Sequence, residues 1–104
     1  MFLKAGVSIA GIRPELMIGV NVFQELFHTL LSHEMTITSV VDGKHSHTSL
    51  HYNGSAFDIR TRDLNDGEAE KIVKEAKKRL TRDFDILLES DHIHVEYQPR
   101  RRAI

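Results

Sequence analysis

Ser49-Leu50-His51-Tyr52-Asn53-Gly54-Ser55-Ala56-Phe57-Asp58 sets an imidazole and a carboxylate seven residues apart around a glycine. From Ser55 to Thr61 the residues alternate as in a strand. Phe57 and Ile59 share one face, and Ala56, Asp58 and Arg60 the other. Gly54 permits a tight return that would bring His51 back over the Asp58 face. Near the C-terminus, Asp91-His92-Ile93-His94-Val95-Glu96 repeats the pattern. Period two puts His92, His94 and Glu96 on one face and Ile93 and Val95 on the other. If the two strands are neighbours, Asp58 and His94 meet on the open side of a sheet, with His51 within reach. Two imidazoles, one carboxylate and a vacant fourth position are how catalytic zinc is held.

The flanking sequence supplies the rest of the fold. Pro14 suits the first turn of a helix. Leu16, Val20, Phe23, Phe27 and Leu30 then recur at spacings of four and three, one apolar stripe that predicts a helix ending near Ser32 or His33. Thr36 to Val41 is β-branched and reads as a strand stopped by Asp42-Gly43. Lys44 to Asn53 fits neither period and reads as a loop. Asn65 or Asp66 can cap a second helix, with Ala69, Ile72, Val73, Ala76 and Leu80 as its buried stripe. Asp85 to Glu89 and His92 to Tyr97 read as strands joined across Ser90-Asp91. The expected order is helix, strand, strand, helix, strand, strand. It predicts a single α+β domain over residues 1–104, with two helices packed on one face of a small, mainly antiparallel sheet.

Composition narrows the function classes. The 104 residues are 40% hydrophobic and 28% charged, as in an ordinary globule. The net charge is −1, and 15 acidic residues face 14 basic ones, so nothing draws the chain to nucleic acid and a metal nuclease is disfavoured. No stretch is apolar enough to insert in a membrane. There is no cysteine, so a zinc site must be built from His and Asp/Glu. Three of the seven histidines, His51, His92 and His94, fall in the two clusters described above, and His45 and His47 lie just before the first.

Ser49-x-His51-x-x-Gly54-x-Ala56-x-Asp58 resembles the signature of the zinc D,D-carboxypeptidases and dipeptidases and of phage L-alanoyl-D-glutamate endopeptidases. The later Asp/Glu-x-x-His of that group is matched by Asp91-His92-Ile93-His94. By resemblance, His51, Asp58 and His94 bind Zn2+, and Asp91 is the general base for attack of water on a peptide carbonyl. A second register, Glu89-x-x-His92, would make His92 the ligand and Glu89 the base. The segments Gly43-Lys44-His45-Ser46, Ser49 to Ile59 and His92-Ile93-His94 also resemble the signalling domain of hedgehog proteins, which shares the peptidase fold. That likeness implies a zinc-stabilised binding module without hydrolysis.

Within the peptidase reading, His92 and His45 are candidates to stabilise the oxyanion. Ser49 would pin the loop or bond a ligand. Arg60 would hold a substrate carboxylate. Tyr52 and Tyr97 could line a cleft, though Tyr97 falls on the apolar side, and Arg100-Arg101-Arg102 reads as a basic tail. The implied partner is a peptidoglycan stem peptide, met by a monomer. Met1 to Gly11 lacks the apolar core of a secretory signal. The protein is therefore expected to be made in the cytoplasm, and either to reach the cell wall through a pore or aboard a virion or to stay inside as a peptide-recycling hydrolase.

Overall fold

A computed structural model describes residues 1–41 and 55–98. The elements, in chain order, are β1 (Phe2–Leu3), α1 (Pro14–Leu26), a π-helical turn (Phe27–Leu31), β2 (Thr36–Val41), β3 (Ser55–Arg60), α2 (Glu68–Arg79), β4 (Phe84–Leu88) and β5 (His92–Tyr97). One five-stranded sheet runs β1-β2-β3-β5-β4. Only β1 and β2 pair in parallel, and the other three pairings are antiparallel. The fold is the expected α+β arrangement of two helices and a mainly antiparallel sheet.

Hydrophobic alternation orients the sheet. Ile37, Phe57, Ile59, Ile86, Ile93 and Val95 turn inward and join Leu16, Val20, Phe23, Leu26, Phe27, Ile72 and Ala76 in a continuous core. Helix α1 packs on β5, α2 packs on β4, and the helices touch each other. Phe23 meets Phe57 edge to face at 6.2 Å. Gly19 lets the Phe84 and Phe57 rings come close to the α1 backbone. A Cβ there would lie 2.9 Å from the Phe84 ring, tighter than packed atoms tolerate. Tyr97 packs on Phe84 at the rim of the same core.

Several expectations need correction. The first element is β1, not α1. Two backbone bonds, Phe2 N–H to Met35 O and Lys4 N–H to Ile37 O, create it. So short a strand has no periodicity to read, because the neighbouring strand supplies its stability. The first helical run does end at Ser32, whose left-handed backbone (φ 51°) closes it. Its last turn, however, is π-helical. Leu26, still within α1, is buried three residues after Phe23, and across the wider turn Leu31 packs on the core while Leu30 is exposed. Helix α2 is capped by neither Asn65 nor Asp66. Gly67, at φ 84°, forms the entry, and the Glu68 carboxylate accepts the Asn65 N–H at 2.7 Å. Strand β4 starts and ends one residue earlier than expected. The β4–β5 hairpin does turn across Ser90-Asp91, closed by Glu89 N–H to His92 O.

Candidate metal centre

The β3–β5 register decides the site. Asp58 lies opposite His94, Arg60 opposite His92 and Ala56 opposite Glu96. These residues occupy the face away from the helices. The ligand atoms of Asp58, His92 and His94 all lie within 4.8 Å of one another. Asp58 Oδ1 is 2.8 Å from His94 Nδ1 and 3.9 Å from His92 Nε2. Each of the three side chains is about a quarter to a third exposed, so the group is open to solvent on one side.

Each imidazole also has a carboxylate on its other nitrogen. His92 Nδ1 is 2.6 Å from Asp91 Oδ1, and His94 Nε2 is 3.0 Å from Glu96 Oε1. A ring N–H donated outward to a carboxylate leaves the inner nitrogen with its lone pair. That is the arrangement by which outer carboxylates orient histidine ligands in metal sites. With no ion bound, His94 can instead donate from both nitrogens as the cation. Burial pulls its pKa down, but the hydrogen bonds and charges of Glu96 and Asp58 outweigh burial and hold it above the ordinary histidine value. The His92 hydrogen bond keeps the exposed Asp91 below the usual carboxylate range.

The donor set fits a divalent ion. Two imidazole nitrogens and one carboxylate oxygen converge, and each imidazole is steadied by an acid. This mixed N/O chemistry suits zinc and its first-row neighbours better than the all-oxygen ions.

Of the residues singled out from the sequence, Asp58, His94, His92, Asp91 and Arg60 are brought to one face. His92 stands beside the other two in the triad. Glu89, the base in the alternative register, lines a separate hollow with Thr61, Leu64 and Asn65. His45, Ser49, His51 and Tyr52, with Arg100, Arg101 and Arg102, lie outside the described residues. Sequence reasoning did not assign Glu96 its contact with His94. The signal was present in His94-Val95-Glu96, since period two puts both on one face. It also missed a cleft of about 280 Å³ beside the triad, lined by Lys4, Thr38, Asp58, Arg60, Arg62, Asp91 and His92. Lys4, just after β1, and Thr38, in β2, are remote in sequence from the triad, so no local pattern could have announced them.

No protein-family model matches the chain, and no curated protein or solved structure matches it. The class supported by fold and site is therefore a small α+β protein with a candidate Asp/His/His metal centre on the open face of its sheet. No helix among the described residues is long and apolar enough to cross a membrane.

Proposed function

We propose that this protein is a zinc-dependent peptidase that hydrolyses a peptide bond in peptidoglycan stem peptides or crosslinks, as a cell-wall lysis enzyme would. The observation that carries the reading is the convergence of Asp58, His92 and His94 on the sheet face turned away from the two helices. The sequence motif around His51 and Asp58 supports it independently. Asp58 and His94 would hold the ion, joined by His51 as the motif implies or by His92, which already stands beside them. Bound zinc would supply Lewis acidity, polarising a peptide carbonyl and acidifying water at the open position.

The chain's own groups divide the remaining work. Asp91, on the β4–β5 turn, is a carboxylate kept ionised by His92 and can accept a proton and return it to a leaving amine. Glu96 holds the His94 ring from behind. His92, with its outer N–H donated to Asp91, presents the Nε2 lone pair to a cation at the centre. Digestion of purified peptidoglycan with and without a chelator, with mass analysis of the fragments, tests the reading. Chelator-sensitive release of peptides is expected, and no cleavage by the zinc-loaded protein would overturn it.

One observation favours a second reading, a zinc-stabilised binding module. Asp91 is bonded to His92 and exposed, which suits a purely orienting role. Asp91→Ala separates the two. Loss of hydrolysis with near-unchanged zinc stoichiometry is expected of the base, whereas intact turnover in this variant would refute that role.

A further inference from the structure

We infer that the cleft beside Asp58 and His92 is a carboxylate subsite, taking a free carboxylate of the peptide substrate next to the bond that is cut. The inference rests on the peptidase reading and names the substrate class for it: acidic short peptides. Three cations from two parts of the fold meet there. Lys4 follows β1 and is pinned by its N–H to Ile37 O at 2.9 Å. Arg60 ends β3, and Arg62 lies two residues beyond. Thr38 is the extra residue of a bulge, because the β2–β3 register steps from Ile37 opposite Ile59 to Ser39 opposite Asp58. It adds a hydroxyl to the lining.

The charge balance of the cleft is uneven. Its two acids are already engaged, Asp58 with His94 and Asp91 with His92. Among the described residues, no carboxylate forms an ion pair with Lys4, Arg60 or Arg62, whereas Lys78 and Arg79 on α2 are both paired. A guanidinium fork and an ammonium around a small polar hollow suit a planar carboxylate. A volume of about 280 Å³ holds one amino-acid residue rather than a sugar chain. Because Asp58 and His92 form one wall, a carboxylate seated there lies alongside the metal centre. The substrate's acidic end would therefore point toward β1 and β2.

Binding can be measured without turnover. The metal-free and zinc-loaded proteins would be titrated with a stem pentapeptide and with the same peptide carrying amidated carboxyls, following amide shifts by NMR. The acid form is expected to bind roughly tenfold or more tightly, as charge-assisted bonds are lost in the amide. Rising salt should weaken that preference. Arg62→Glu and Lys4→Glu, both at exposed positions, should abolish it, and Lys4→Gln should reduce it if the reversed charges perturb folding. Equal binding of acid and amide, or full preference in both charge-reversed variants, would overturn the subsite. So would inorganic phosphate competing as well as the peptide acid, since that marks a generic anion site. Failure of the peptidase reading is distinguishable: acid preference would persist while zinc-loaded protein leaves peptidoglycan intact.

Discussion

The two faces of β3 and β5 are built from alternate residues of the same strands, yet they do opposite work. Phe57, Ile59, Ile93 and Val95 are at most 1% exposed and lie under the helices. Asp58, His92, His94 and Glu96 keep 21–31% of their side-chain surface in solvent. Burying a large apolar side chain contributes about 1.5–3 kcal/mol, so stability resides on the inner face. On the outer face, partly buried polar groups would cost stability if left alone, and the carboxylate–imidazole bonds offset that cost. Adjacent positions one residue apart thus divide between folding and chemistry.

Substitution at adjacent residues probes this division most sharply. Phe57→Ala should cost about 3–5 kcal/mol of stability, read by denaturant unfolding of the metal-free protein. Asp58→Ala should leave that unfolding curve close to wild type and weaken zinc binding on the order of 100-fold or more, read by competition with a chromogenic chelator. If Asp58→Ala unfolds the protein as Phe57→Ala does, the two faces are not separable.

Glu96→Gln tests the outer face more gently. It keeps the shape but removes the charge behind His94, and metal affinity should fall about 10- to 100-fold. Cobalt(II) spectra should shift as the ring reorients; an unchanged affinity and spectrum would show that Glu96 does not position His94.

The pH response of the two states should run in opposite directions. The folded-state pKa of His94 is raised above 6.5. Its imidazolium therefore stabilises the metal-free fold fully below that ordinary value, and the contribution is lost as pH rises through the raised pKa. Metal binding needs the neutral ring, so zinc affinity should climb over the same window. Melting curves of metal-free wild type and His94→Gln across pH 5–8 (roughly the range in which histidine titrates) check this. A constant gap between them would contradict it. The smallest effect belongs to neither face. Lys78→Ala, breaking the exposed pair with Glu75 on α2, should change stability by no more than about 0.5 kcal/mol.

The strands were legible because alternation is local. Thr36 to Val41 and His92 to Tyr97 begin and end where β-branching and period two place them. The same rule put Asp58, His94 and Glu96 on one side of the sheet. Helix details were less legible. The π turn that packs Leu31 on the core and exposes Leu30 is a change of pitch, which a fixed 3.6-residue period cannot show. The Gly67 entry to α2 was masked by two better capping residues just upstream.

What the amino-acid order determined alone was the class of fold, which side chains point away from the core, and the set of residue types able to grip a metal. Those follow from backbone geometry repeated over a few residues. Only the tertiary structure decided the partners: the β3–β5 register that puts Asp58 against His94, the acids behind each ring, and the arrival of Lys4 and Thr38 beside them. Such pairings join residues tens of positions apart, and their energy comes from neighbours that no short stretch of sequence contains.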